Sequence, residues 1–261
     1  MLLACLVALV ASGLTLFTGF GLGTLLLPAL ALRMPIVDAV AVTALVHLTN
    51  NLFKALLVGR WAVRDLVLWF GIPAMLAAAL GARLLATIGA GERLAGPVVA
   101  GVTLDPTPAD LVVGLVIVVL AWRALAAKDP GDDEPAGHAP RAEMVRTGAL
   151  SGFIGGLTGH QGAVRSAFLL RLRLARDAFV GTNVAIACLV DIARLLVYRR
   201  AAGALTADSF AFWGPVALCA FAGAWVGARL VAKTTLPGLR RVVAVTMVLL
   251  GLAIAAGQLG G

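Results

Sequence analysis

Long apolar stretches separated by short polar breaks recur along the whole chain. A helix needs about 20 mostly apolar residues to cross the hydrocarbon core of a bilayer. Breaks at charged residues and prolines divide the sequence into stretches of about this length. The predicted spans lie near residues 2–32, 36–57, 64–88, 109–126, 144–171, 177–198, 208–231 and 239–259. We therefore predict an all-α, polytopic membrane helix bundle of about eight spans.

The composition agrees with a membrane protein. Hydrophobic residues make up 61% of the 261 residues, charged residues make up 13%, and the mean hydropathy is +1.00. These values lie far outside the range of ordinary soluble domains. The formal net charge of +8 comes from basic residues spread over successive loops, so no nucleic-acid partner is needed to explain it. We expect a multi-pass membrane protein, surrounded by the lipid bilayer.

The chain carries signs of an internal duplication. Residues 128–144, "KDPGDDEPAGHAPRAEM", form a polar linker between an N-terminal membrane repeat (1–127) and a C-terminal one (145–261). A shift of 139 residues places "DAVAVT" at 38–43 on "DAFVGT" at 177–182. We predict two homologous four-span repeats. Four crossings in each repeat would give both the same orientation, whereas a first element that crosses twice would invert them.

Glycine clusters fall at corresponding positions of the two repeats. The first is "TGFGLGTLLLPAL" from residue 18, and the second is "GGLTGHQGAVRSAFL" from residue 155. Irregular backbone survives in a bilayer only where protein or a watery cavity surrounds it, and the helix ends it creates attract anions. We therefore predict a broken or re-entrant first helix in each repeat. Close helix packing alone is the alternative, because Gly148, Gly152 and Gly156 have small-xxx-small spacing.

These motifs resemble the sulfite exporter TauE/SafE family. The resemblance lies in "GFGLGTLLLPALAL", in the following "DAVAVTALVHLTNN" and in the span with "GARLLA", and it covers nearly the whole chain. It implies a polytopic transporter that moves sulfite, organosulfonates or related small sulfur-containing anions across the cytoplasmic membrane, commonly outward. The second repeat departs from the family's pattern, because His160, Gln161 and Arg165 stand where glycine or small apolar residues are more usual.

Polar side chains inside the predicted spans are candidates for substrate binding. His47, Asn50, Asn51 and Lys54 share one helical face, and such groups in lipid usually point into the bundle or a wet path. The guanidinium of Arg165 matches an oxyanion through two parallel hydrogen bonds. Snorkelling of Lys54 and interhelical bonding by the asparagines are the structural alternatives. The predicted substrate-binding set is Gly21, Gly23, Thr24, His47, Asn51, Lys54, Thr158, Gly159, His160, Gln161, Gly162, Arg165 and Asn183.

Acidic residues in the spans have mainly structural interpretations. Asp191 and Arg194 are three residues apart on one helical face, so we predict that they pair. A gating or proton-coupling role for this pair is the alternative. Asp38 and Asp177 begin helices, where we expect each carboxylate to cap free N–H groups.

The leading hypothesis is a membrane transporter, in the direction of export, for a small anion such as sulfite or an organosulfonate. The anion would lie between the two repeats, near the glycine-rich breaks. An inside-negative potential favours outward anion movement by about 2.3 kcal/mol per charge per 100 mV. An intramembrane enzyme using Ser151 or Ser166 is a weaker alternative, because no nucleophile motif surrounds them. A membrane scaffold protein is the third hypothesis. We predict no enzymatic activity, no cofactor and no metal site.

Overall fold

The fold is known from a computed structural model that describes residues 2–18, 23–32, 34–99, 102–126, 139–199, 210–230 and 236–258. Within these ranges the chain is almost entirely α-helical, with one short antiparallel hairpin, β1 (Val98–Val99) and β2 (Val102–Thr103). The helices are α1 (Leu2–Thr18), α2 (Gly23–Ala31), α3 (Ile36–Val58), α4 (Arg64–Leu66), α5 (Ile72–Ile88), α6 (Pro108–Ala126), α7 (Arg141–Thr158), α8 (Gln161–Arg171), α9 (Arg176–Tyr198), α10 (Phe210–Leu230) and α11 (Leu236–Ala255).

Four of the described helices are long and apolar enough to cross a membrane. They are Ile36–Trp61, which is α3 with a 3₁₀ turn; Arg64–Ile88, in which a π-helical turn joins α4 to α5; α6; and α9. Large apolar side chains such as Leu56 (87% exposed) and Trp122 (67% exposed) cover the outside of the bundle, where lipid replaces water. The predicted all-α membrane bundle is confirmed, and the count of eight spans stays a prediction.

α3 and α9 follow residues whose own side chains make no capping hydrogen bond. Pro35 precedes α3, and Ala175 precedes α9. Asp38 and Asp177 lie inside the first turns of these helices and not at the cap positions. A first-turn carboxylate lies near the free N–H groups and the positive end of the helix dipole, and the capping of these N–H groups by Asp38 and Asp177 stays a prediction.

The chain is interrupted between α7 and α8. Gly159 has a left-handed backbone with φ of 77°, and its N–H donates to the carbonyl of Gly155. Only glycine adopts this conformation at little cost. In the first half, α1 ends at Thr18 and α2 begins at Gly23, so the predicted Gly21 lies outside the described residues.

α8 folds back along α7, so the two helices form a hairpin. Near the turn, the hydroxyl of Ser151 donates to the carbonyl of Gln161 at 3.0 Å. At the open end, Nη1 of Arg171 lies 3.0 Å from Oε1 of Glu143. A helix rises about 1.5 Å per residue, so a straight continuation would hold the first pair about 15 Å apart and the second about 42 Å apart. Both outer ends of the α7–α8 hairpin therefore lie at the same end of the bundle.

Close backbone contact holds the α7–α8 hairpin against α5. Three glycines of α7, one turn apart, contact the backbone of α5 and of the π-helical turn before it, and a Cβ at any of them would overlap that backbone. The pairs are Gly148 with Phe70, Gly152 with Ala74, and Gly156 with Ala78. Close packing and chain interruption thus occur together in this glycine-rich stretch.

α9 packs against α3 in the opposite direction. Near the start of α9, Gly181 lies against the backbone of Val58, the last residue of α3, and of Trp61, in the 3₁₀ turn that follows it. The backbone N–H of Val63 donates to the hydroxyl of Thr182 at 2.9 Å. α9 therefore begins at the end of the bundle where α3 finishes, and the polar faces of the two helices meet halfway along.

Candidate functional site

A buried hydrogen-bonded network is centred on Asp191, in α9. Its Oδ1 accepts from Gln161 Nε2 at 2.8 Å and from Arg194 Nε and Nη2 at 2.9 and 2.7 Å. Its Oδ2 lies 2.5 Å from Nδ1 of His47. A carboxylate is tolerated away from water only where donors and cations surround it. These contacts explain how Asp191 can be fully buried.

Arg194 forms a buried ion pair with Asp191. Two of its nitrogens donate to the same carboxylate oxygen, and its side chain is fully buried. Its Nη1 also donates to the carbonyl of Gly155, next to the α7–α8 turn, at 3.4 Å. The predicted pairing of Asp191 with Arg194 is confirmed, and the pair also ties α9 to α7.

Arg165 is buried in a different way. It is 2% exposed, its Nε donates to Asn183 Oδ1 at 2.6 Å, and its Nη1 donates to Gln161 Oε1 at 2.7 Å. Both acceptors are neutral amide oxygens. Gln161 therefore uses both ends of its side chain, because its nitrogen donates to Asp191 while its oxygen accepts from Arg165.

The first half of the chain contributes His47 and Asn51, one turn apart on α3. Nδ2 of Asn51 lies 3.0 Å from His47 Nδ1 and 3.5 Å from Asp191 Oδ2. The network thus joins α3 to α8 and α9, from opposite halves of the sequence. Lys54, predicted for the same face, is half-buried one turn further along and lies outside the network.

The two glycine-rich segments also meet. A Cβ at Gly23, the first residue of α2, would lie 3.1 Å from the carbonyl oxygen of Gly159 and 3.2 Å from Cγ2 of Thr43. Such distances are tighter than ordinary packing allows, so glycine fits where a larger residue would push the chains apart. The start of α2 therefore rests on the tip of the α7–α8 hairpin.

The other predicted residues shape the turn. The hydroxyl of Thr158 donates to the carbonyl of Ile154 at 2.9 Å and accepts the N–H of His160 at 3.3 Å. Nδ1 of His160 lies 2.8 Å from the Thr158 carbonyl. Gly162 is buried in the first turn of α8. Thr24 lies in α2, and its side chain is outside the described residues.

Two buried polar groups were not predicted from the sequence. The fully buried hydroxyl of Thr43 has no hydrogen-bond partner in the part of the chain that the structure describes, although it lies beside Gly23. Tyr198 donates its hydroxyl hydrogen to the carbonyl of Gly156. Thr43 aligns with Thr182 in the predicted duplication, which was a usable signal for a buried polar position. Tyr198 is the sole tyrosine of the chain and gave no pattern.

The network carries more positive than negative charge. Its described members include one carboxylate, Asp191, and two guanidiniums, Arg165 and Arg194. Ser151, considered as a nucleophile, donates to a backbone carbonyl and not to a histidine. Among the described residues, no three His, Cys, Asp or Glu side chains form a group that could hold a metal ion.

Comparison with known proteins gives one match. A family model described as Sulfite exporter TauE/SafE matches residues 4–254. The matched range runs from α1 into α11 and includes every residue of the network. No curated protein and no solved structure gives a significant match.

Proposed function

The chain belongs to the sulfite exporter TauE/SafE family, and from this premise we propose that it binds a small sulfur oxyanion at Arg165, between its two halves. Membership identifies it as a membrane transporter of small sulfur-containing anions. The proposal adds the binding residues, the direction of transport and the arrangement of the halves.

The buried state of Arg165 is the observation that carries this proposal. Its guanidinium contacts two amide oxygens, while the carboxylate of the network is already paired with Arg194. A cation in a low-dielectric interior is costly unless an anion balances it. A sulfur oxyanion would balance Arg165 and accept its parallel N–H groups. Asn183 would then hold the guanidinium in place through Nε.

Further donors surround this position. α8 begins at Gln161 and Gly162, so its free N–H groups and positive dipole end face the α7–α8 turn. We include Gly159, His160 and Thr158 of the turn in the proposed anion-binding site. From the first half of the chain we include Gly21, Gly23 and Thr24 of the corresponding segment, with His47 and Asn51 on the facing helix. We assign Lys54 to the approach path, because it lies one turn beyond the network.

The two halves are proposed to be inverted repeats. α3 and α9 run in opposite directions, although they occupy equivalent positions in the duplication. The α7–α8 hairpin begins and ends on one side, so single crossings by α9, α10 and α11 would give this half an odd number. The repeats are residues 1–127 and 145–261, with the linker 128–144 between them. Their hairpin tips would meet at Gly23 and Gly159, halfway across the membrane.

The proposed direction is export across the cytoplasmic membrane. The inside-negative potential drives an anion outward without a coupled ion, by about 2.3 kcal/mol per charge per 100 mV. Asp191 and Arg194 would form the gate, because their bonds connect α9 to α3, α8 and the turn. Opening a path past Arg165 requires some of these bonds to break.

Flux into proteoliposomes tests the proposal. The purified full chain should show saturable uptake of radiolabelled sulfite, and Arg165→Gln should lower that uptake at least roughly tenfold because the charge and the paired donors are lost. Arg146→Gln is the matched control, since Arg146 is exposed and its Nε donates to a carbonyl of its own helix. Equal uptake by Arg165→Gln and the control would contradict the binding site.

A further inference from the structure

We propose that the network accepts one net negative charge in each transport cycle, so that a dianion is carried together with a proton on His47 and a monoanion is carried alone. This inference rests on the proposed anion site at Arg165. It adds the charge of the substrate that the site accepts and names the residue that adjusts to it.

The charges of the network determine that it accepts one net negative charge. Asp191 and Arg194 neutralise each other through two short hydrogen bonds. Arg165 contributes one further positive charge, held by neutral amides. Because an unbalanced charge is costly in a buried site, a monoanion at Arg165 leaves the network neutral. A dianion leaves one negative charge uncompensated.

His47 can supply the missing positive charge. Imidazole is the side chain that binds or releases a proton near neutral pH. Its Nδ1 already faces the Asp191 carboxylate at 2.5 Å, so the added proton goes to Nε2. This proton enters from the aqueous phase on the loading side and leaves on the releasing side with the anion. The step therefore needs no other reactant.

The charges around His47 make its protonation depend on the substrate. The Asp191 carboxylate lies 2.5 Å from His47, and the guanidiniums of Arg194 and Arg165 belong to the same network. Because the two guanidiniums outnumber the single carboxylate, His47 takes up its proton only when a dianion adds a second negative charge. Other charged residues on α3 and on the elements packed against it lie nearer their ends: Asp38, Lys54, Arg60, Asp110, Arg123, Arg176, Asp177 and Arg229.

Gln161 provides the connection between the two sites. Its side-chain oxygen accepts from Arg165, and its nitrogen donates to Asp191 and lies 3.5 Å from His47 Nδ1. An anion that takes over the Arg165 donors changes the bonding of Gln161. That change reaches the carboxylate that faces His47. Binding at Arg165 and protonation of His47 are thereby linked through one side chain.

The test measures charge and protons per anion in proteoliposomes of the full chain. Radiolabelled methanesulfonate serves as the monoanion and radiolabelled sulfate and thiosulfate as the dianions, with the membrane potential clamped and an internal pH dye present. We expect one elementary charge per anion throughout, and one proton moving with each dianion. Two charges per dianion without a proton would overturn the inference. So would transport of methanesulfonate with neither dianion moving.

A variant gives a second measurement. His47→Gln should lower the ratio of dianion flux to monoanion flux at least roughly tenfold, because the second charge is no longer balanced. Thr49→Val on the same helix is the control, since the Thr49 hydroxyl bonds only to carbonyls of its own helix among the described residues. An unchanged ratio in His47→Gln would contradict the inference. If His47→Gln does not fold, the charge moved per anion by the wild-type protein still tests the inference. A complete absence of saturable flux for every anion would contradict the proposed function itself.

Discussion

At the scale of single residues, Asp191 is a buried charge on which stability depends. It is the carboxylate that balances Arg194 in the buried network, and both side chains are fully buried. Asp191→Asn leaves an unpaired guanidinium, so we expect the free energy of unfolding to fall by about 3–5 kcal/mol. Thermal unfolding of the purified protein in detergent measures this loss.

A second ion pair provides the comparison for Asp191. Glu143 and Arg171 are joined at 3.0 Å, but the arginine side chain is 63% exposed. Exposed pairs contribute about 0–1 kcal/mol, so Glu143→Gln should shift the unfolding midpoint only slightly. A comparable loss in both variants would mean that burial does not determine the strength of these pairs.

Residue spacing revealed only the local part of the network. The pairing of Asp191 with Arg194 follows from their separation of three residues on one helix. The contact of Asp191 with His47 joins residues 144 positions apart, and helical periodicity cannot predict a contact over such a separation. The polar face with His47 and Asn51 was visible in the sequence, whereas its partners depended on how α9 packs.

At the level of elements, the contact between α5 and α7 depends on glycine. Gly152 lies directly on the backbone of Ala74. Gly152→Ala should therefore separate the helices and destabilise the protein by about 1–3 kcal/mol, as overpacking does elsewhere. Unfolding in detergent, together with the elution volume of the folded fraction, measures this effect.

Gly59→Ala is the matched control for Gly152→Ala. Gly59 has helical φ and ψ of −60° and −26°, and an added Cβ would lie 3.7 Å from the Ala55 Cβ, which is ordinary packing. The free energy of unfolding should stay equal or rise by up to about 1 kcal/mol, because alanine restricts the unfolded chain. A loss as large as that of Gly152→Ala would show that glycine content, and not interhelical contact, is what matters.

The glycine pattern predicted an interruption but not its direction. Residues 155–162 contain enough glycine for either a kink or a complete reversal. The reversal follows from the left-handed Gly159, from the bond between Ser151 and Gln161, and from the ion pair at the open end. None of these is a repeating pattern, so the sequence predicted a broken or re-entrant helix without deciding between the two.

At the scale of the whole molecule, the α7–α8 hairpin fixes which residues share a side of the membrane. Single cysteines replacing Glu143 and Arg171, in a background without native cysteines, should react with a membrane-impermeant maleimide from the same side of oriented vesicles. A cysteine at Met34, before α3, should react from the opposite side, because α3 crosses between them.

The reverse labelling result has a clear meaning. If the cysteines at Glu143 and Arg171 reacted from opposite sides, residues 144–171 would cross the membrane once, as in a four-span repeat. The halves would then share one orientation. Hydropathy predicted the apolar stretches well, because it reports composition along the chain. It could not predict the number of crossings, because a hairpin and a straight span have the same composition.

The spacing of Asp191 and Arg194 also bears on biogenesis. α9 leaves the ribosome after α3 and must enter lipid with both ionised groups in its apolar length. Because the two groups are one helical turn apart, they can neutralise each other inside the emerging helix, before His47 is within reach. The translocon would therefore handle α9 as a nearly uncharged segment. Moving Arg194 by two positions would leave the same composition but a helix that inserts poorly.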